Sequence, residues 1–496
     1  MKKFYLTTAI DFVNAPPHLG HLYEKVCADA IVRYHRLKGE EVFFLTGLDE
    51  NAQKNEQAAK EAGMPVKAFV DKNAEYFKEL CDLYEISNDD FIRTTEKRHE
   101  RVVKTVFQKI YDKGDIYKKY YEGYYCQGCE EFKTEKDLVD GKCPEHDTVP
   151  VRLKEENYFF KLSKYQDKLL KLLSEGEFVL PLEKRNEVVA RLKEGLKDLS
   201  VTRPNLTWGI DAPIDPDHKI YVWIDALTNY ISALGYPDGE RFNKFWPADV
   251  HLIGKGINWF HSVIWPAILL SAGIDLPKLI LVHGYITVEG EKMSKSKGTV
   301  VNPLELAKNH PIDSIRYFLL RELAFGEDGD FTMESLVERT NNELVANIGN
   351  FIHRTLTFIS KYFGGVVPKP VEFDEADEEF VKRIELIADR AAERLERFEL
   401  DKALKDILEF SDEGNRYFQR KEPWKDKDPT CLYVCANAVR CLAVLLEPFV
   451  PSAVRRLWSQ LNLEEDVAEQ EWDSASKLLI ESGHKIGEPE ILFKKI

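Results

Sequence analysis

The residues Phe4-Tyr5-Leu6-Thr7-Thr8-Ala9-Ile10, then Asn14-Ala15-Pro16-Pro17, then His18-Leu19-Gly20-His21, read as a strand, a break and the start of a helix. The first run is apolar and rich in β-formers, the prolines interrupt it, and helix-period sequence continues over 18–37. A second strand-like run, 41–47, ends on Gly47 and is followed by helix-period sequence over 51–62. Repeated βα units of this kind predict a parallel sheet. Its ligands would bind at the carboxyl ends of the strands, where 14–21 and 47–51 lie.

Further along, the texture changes. From about Ile116 to about Arg203, tyrosines, cysteines and turn residues read as an insertion. Strand-like 220–224, 250–254 and 279–282 then resume the sheet, so the nucleotide-binding domain is split around the insertion. After about Asp313 the pattern is helical. The proline-containing stretch 364–370 and the acidic run 372–379, read as a solvated helix start, separate two helical blocks. The boundaries expected are 1–115 and 219–312 for the split domain, 116–218 for the insertion, 313–365 for a connecting region and 366–496 for a helical domain.

Composition bounds the function. At roughly 100–200 residues per domain, 496 residues make a multidomain protein, and 44% hydrophobic with 31% charged residues exclude disordered and collagen-like classes. The longest apolar stretch is read around 264–274; Pro266 and Ser271 interrupt it, and it falls short of the ~18–20 residues of a membrane span. Met1-Lys2-Lys3 leads into a strand without a secretory h-region, so a cytoplasmic location is expected. The formal net charge of -16 lowers the prior for a nucleic-acid partner but leaves room for a local basic strip.

Three of the eight cysteines form Cys126-x2-Cys129-x13-Cys143-x2-His146, with Gly128 and Gly141 allowing tight turns. Three thiolates and one imidazole at knuckle spacing predict one closed, structural tetrahedral Zn2+ site per chain, with no ligand position left for water. Cys27, Cys81, Cys431, Cys435 and Cys441 lack such partners and read as core residues.

Two motifs carry the chemistry. His18 and His21 straddle Gly20 at a helix start, putting imidazoles and free backbone N–H groups beside a helix N-terminus, which is a phosphate site. Far downstream, Lys292-Met293-Ser294-Lys295-Ser296 supplies mobile point charges suited to a triphosphate whose charge shifts during reaction. An apolar slot is drawn from Trp223 and Tyr230, seven apart, and His261 and Trp265, four apart, with Ile10, Phe12 and Phe260. Ordinary core packing accounts for these aromatics equally well.

The paired signatures resemble those of the class I aminoacyl-tRNA synthetases, H-I-G-H and K-M-S-K-S. The chain resembles their methionyl family over nearly its whole length, through 14–21, 43–50, Tyr221-Val222-Trp223-Ile224-Asp225-Ala226, 260–266 and Val282-His283-Gly284-Tyr285. The resemblance implies a Rossmann-like catalytic domain split by a connective insertion, a stem-contact region and an α-helical anticodon-binding bundle. It implies ligation of L-methionine to tRNA(Met) through methionyl-adenylate, with Mg2+ accompanying ATP. His18, His21, Lys292 and Lys295 would be catalytic, and ATP would be held by His18, Gly20, His21, Gly254, Lys292, Lys295 and Ser296. Methionine would meet Ile10, Phe12, Asp49, Arg203, Trp223, Tyr230, Phe260, His261 and Trp265. By the same resemblance Asp49, with Arg203 nearby, holds the α-amino group, Tyr230 and His261 sit beside the sulfur, and Asn350, Arg354 and Trp424 read the anticodon. A monomer is expected, with a separate tRNA-binding subunit as the way to replace the extension some relatives carry.

The chain departs from the family's commoner pattern at Ala9, Asp11 and Phe12, at Leu48 and Asn51, and at Gly256, where the usual G-K-D reads Gly254-Lys255-Gly256. The last change removes a carboxylate aimed at the ribose hydroxyls; Asn258 is the substitute considered. Two rivals remain: a class I synthetase for another apolar amino acid, which the absence of a large editing insertion disfavours, and a non-catalytic RNA-binding relative, which intact phosphate signatures disfavour.

Overall fold

The computed structural model describes residues 2–126, 131–133, 135–144, 147–204, 206–292 and 300–496. Strand β1 (Lys3–Phe12) is buried along most of its length, as a central strand covered on both faces must be. It pairs in parallel with β2 (Glu41–Asp49), which pairs with β3 (Asp90–Arg93). On its other side β1 pairs in parallel with β7 (Val250–Gly254), then β8 (Ile280–His283), then the two-residue β6 (Val179–Leu180). The order β3-β2-β1-β7-β8-β6 reverses between β1 and β7, and the crevice at that switch point is where an open parallel sheet takes its ligand.

Between these halves, β4 (Ile116–Cys126) and β5 (Val151–Phe160) form a long antiparallel ribbon, the body of the insertion. The expected insertion also returns β6 to the parallel sheet, a strand too short to carry a readable pattern. The expected strand at 220–224 is a correction. The chain is extended over Asp215–Ile220, paired antiparallel with Thr202–Pro204, and Val222–Leu227 is a helix outside the parallel sheet. A short apolar run is buried in either conformation, so periodicity does not separate the two.

The C-terminal half is helical: α2 (Asn350–Phe363), α3 (Glu375–Leu395), α4 (Leu400–Lys421), α5 (Pro429–Leu446) and α6 (Pro451–Leu461) pack around one apolar core. The acidic run does start a helix. Asp374 caps α3 by accepting from the Asp377 N–H, in a reciprocal capping box. Asp377 itself is buried and accepts from Tyr417 Oη at 2.5 Å, so that start is only partly solvated. The reading of 264–274 as the longest apolar stretch is also corrected: α5 is long and apolar enough by composition to cross a membrane, yet almost all of it is buried inside the protein.

One buried knot joins the two halves. Asp29, on the helix that follows β1, receives Arg33 Nε at 2.8 Å and Arg316 Nη2 at 2.7 Å. Arg316 also donates to the carbonyls of Tyr84, Pro448 and Phe449, and Arg33 reaches Glu447 at 2.6 Å. Burial opposes charge on Asp29, but the two guanidiniums outweigh it and hold its carboxyl at about 2.

Candidate active site

A cavity of about 640 Å³ opens at the switch point. At one end stands the first turn of α1 (Leu19–Leu37). His18 is its N-cap: His18 Nδ1 accepts from the Gly20 N–H, and His21 Nδ1 accepts from the His18 N–H, both at 3.1 Å. The two rings stack 3.6 Å apart with 13° between their planes. Because both Nδ1 atoms are acceptors, each neutral ring carries its proton on Nε2. Burial in the cavity wall lowers both imidazoles to about 3, so at neutral pH they offer polarised N–H donors without charge. Gly20 leaves the helix backbone bare between them.

The other end is aromatic. Trp223 stacks on Phe260 at 3.7 Å and meets Phe12 edge-on at 6.4 Å. Tyr230 Oη donates to His261 Nε2 at 2.6 Å, and His261 Nδ1 in turn donates to the Ile257 carbonyl at 3.0 Å. Burial lowers His261 to about 4, so the pair is a neutral polar tip on an apolar wall. Thioethers pack well against such aromatic surfaces. Ile10, Phe12, Asp49, Trp223, Tyr230 and His261 line the cavity together with His18, Gly20, His21 and Gly254.

Three expected methionine contacts, Phe260, Trp265 and Arg203, do not line the cavity. Phe260 backs Trp223, and Trp265 is fully buried against Tyr230 and Trp246. Arg203 sits between the rings of Tyr125 and Tyr221 and donates to Ser200 Oγ and the Thr202 carbonyl. Asn258, considered as a ribose ligand, is committed internally: its Nδ2 donates to the Lys184 carbonyl and its Oδ1 accepts from Ser262. Lys295 and Ser296 lie outside the described residues, and Lys292 ends the short strand Glu291–Lys292.

The sequence reading missed several wall residues. Asp11 forms a buried ion pair with Lys25 beneath the two histidines. Glu24 Oε2 meets His283 Nε2 at 3.0 Å, while among the described residues Glu24 Oε1 has no hydrogen-bond partner. Glu24 sits where helix period marks a buried face and Asp11 near the end of the buried strand β1, so in both cases only the charge marks the position. Gly256, His283 and Tyr285 complete this side.

Far along the chain, Asn350 Nδ2 donates to Asn415 Oδ1 at 2.9 Å. Arg354 lies over Phe418, and half-buried Trp424 stacks on that same ring at 6.2 Å. In the insertion, Cys126 ends β4 and Cys143 is likewise fully buried. The Cys143 carbonyl accepts from the Asp147 N–H at 2.8 Å. Two buried thiols of this kind fit a thiophilic metal; Cys129 and His146 lie outside the described residues.

Comparison with known proteins follows the same division. A family model described as tRNA synthetases class I (M) matches residues 4–149 and 146–356, and one described as the anticodon binding domain of methionyl tRNA ligase matches 367–496. A methionine–tRNA ligase of Caldanaerobacter subterraneus subsp. tengcongensis is 46% identical over 506 residues, covering 100% of this chain and 79% of its own length. One from Thermotoga maritima is 43% identical over 507 residues, covering 100% of this chain and 80% of its own length. The solved Mycobacterium tuberculosis methionyl-tRNA synthetase in complex with methionyl-adenylate superposes with a TM-score of 0.96 at 39% identity, covering 99% of this chain and 100% of that one.

Proposed function

The chain belongs to the methionyl members of the class I aminoacyl-tRNA synthetases, and from that premise we propose how its own residues carry the reaction. It ligates methionine to tRNA through methionyl-adenylate. The carboxylate of methionine attacks the α-phosphorus of ATP, the bond to the β-phosphate breaks, and pyrophosphate leaves. The terminal ribose hydroxyl of the tRNA then takes the methionyl group and AMP departs. The reading is carried by one juxtaposition: a helix N-terminus with two Nε2–H donors and an aromatic slot share a single cavity.

In the proposed roles, His18, His21 and the bare backbone at Gly20 bind the phosphates, Lys292 and Lys295 bring positive charge as it develops, and Gly254 and Ser296 complete the ATP site. Mg2+ arrives with the triphosphate. Asp49, with Arg203 nearby, binds the α-amino group, and Ile10, Phe12, Trp223, Tyr230 and His261 surround the side chain, with Phe260 and Trp265 holding that wall from behind. No protein nucleophile is required; positioning and preorganised donors lower the barrier. Asn350, Arg354 and Trp424 are assigned to the tRNA(Met) anticodon, where an unpaired base stacks on the indole. The domain boundaries set out from the sequence, a monomeric state and a cytoplasmic setting belong to the same proposal.

Methionine-dependent ATP–pyrophosphate exchange tested across the twenty amino acids checks this function. Methionine is expected to give the highest kcat/KM, and leucine or isoleucine above it would overturn the assignment. A structural Zn2+ bound by Cys126, Cys129, Cys143 and His146 completes the proposal; it would fix the tip of the ribbon β4–β5. Protein purified without chelator is expected to hold one zinc per chain and Cys126→Ser to lose it, as read by elemental analysis.

A further inference from the structure

Gly256 stands where the sequence pattern leads one to expect an acid, and the structure explains why no side chain fits there. A Cβ built on Gly256 would lie 2.2 Å from the hydroxyl oxygen of Tyr285 and 3.4 Å from its Cζ. The phenol tip therefore occupies the space in which a residue-256 side chain would begin. Both residues are on the cavity wall at the carboxyl ends of β7 and β8, beside Gly254 and Gly284. Beside them Glu24 Oε2 meets His283 Nε2 and His283 Nδ1 donates to the Gly284 carbonyl, while among the described residues Glu24 Oε1 has no hydrogen-bond partner.

Tyr285 is held in place. Its N–H donates to Asp328 Oδ1 at 2.8 Å, and its carbonyl accepts from the Gly329 N–H at 3.0 Å. Lys255 Nζ lies 4.5 Å from its ring centroid and is itself bonded to Asp328 Oδ2 at 2.6 Å. A phenol oxygen so fixed has one donor and two acceptor sites, enough to serve a vicinal diol beside any contact within the protein. With phosphates at the start of α1 and methionine in the aromatic slot, the sugar that hangs from the α-phosphate falls against the ends of β7 and β8.

We propose that Tyr285 Oη is a ribose-binding group of this enzyme, hydrogen-bonding a sugar hydroxyl of ATP from the space that Gly256 leaves open. This rests on the ATP-dependent activation of methionine described above.

The test is exchange kinetics with ATP, 2′-deoxy-ATP and 3′-deoxy-ATP for wild type, Tyr285→Phe and Gly256→Ala. Phenylalanine keeps the ring under Lys255, so the fold is retained, which thermal unfolding verifies. One neutral hydrogen bond corresponds to roughly a three- to tenfold change. Wild type is expected to lose about that factor in kcat/KM on at least one deoxy analogue. Tyr285→Phe is expected to lose a similar factor on ATP, in KM for ATP and not for methionine, and to cease distinguishing that analogue. Gly256→Ala, whose new methyl displaces the hydroxyl, is expected to behave alike. If both variants discriminate the analogues as wild type does, the proposal fails. A wild type without methionine-dependent exchange would instead remove the functional reading beneath it.

Discussion

Replacing His21 by alanine is expected to lower methionine-dependent pyrophosphate exchange by about 10²- to 10³-fold in kcat, the cost of deleting one preorganised donor aimed at developing phosphate charge. The magnitude follows from the site. His21 Nδ1 is committed to the His18 N–H, so Nε2 carries the proton, 3.8 Å from Asp11 Oδ1 in the cavity wall, and loss of the ring also breaks the capping box that orients His18. KM for methionine should stay nearly unchanged, because the aromatic slot lies at the other end of the cavity. A drop confined to KM, with kcat intact, would remove His21 from the reacting centre. The imidazoles also set a pH dependence of stability. In the unfolded chain they take protons below about pH 6.5, whereas in the folded one burial holds both near 3. Between those values the unfolded state binds more protons, so stability falls as pH falls. His21→Asn should flatten that acid limb in thermal melts at pH 4 to 6.

Arg316→Ala is expected to lower folding stability by about 3 to 5 kcal/mol, the usual cost of breaking a buried ion pair by removing one partner. Arg316 is fully buried, and its loss leaves Asp29 with Arg33 as its one cationic partner among the described residues, beside the Ser87 N–H and hydroxyl, while stripping the Tyr84, Pro448 and Phe449 carbonyls of this donor. Arg316→Lys should rescue little, since an ammonium has no planar fork to reach four acceptors at once. Thermal unfolding checks this, and a Tm within a degree of wild type would show that the knot is not holding the two halves together.

The features legible in the sequence were those with a period or a spacing. The strand at 4–10, the break at Pro16-Pro17 and the helix from His18 have their pattern written locally, and they placed the switch-point crevice before any tertiary contact was known. The run at 220–224 did not, because β-branched residues beside Trp223 are buried equally well in a helix end, and only the neighbouring strand Thr202–Pro204 decides where extension stops. Among site residues, the chemistry of His18, His21, Trp223, Tyr230 and His261 is legible and they lie on the cavity wall, whereas Asp11 and Glu24 beside them carry no motif. Trp265 and Phe260 were assigned to contact where the structure gives them support, since sequence does not say which side of a ring faces the void. Tyr285 has no role legible in the sequence, because its significance lies in Gly256, and that relation exists only in three dimensions.

The knot at Asp29 has a mechanical meaning. Asp29 rides on the same helix whose first turn carries His18 and His21, about ten residues or roughly 15 Å further on. The phosphate-binding end and the anchor to the C-terminal bundle are thus two marks on one rod, and Arg316 and Glu447 bolt that rod to the bundle. A pull on the bundle is thereby passed through Arg316 and Asp29 to the same helix that presents His18 and His21 to the cavity.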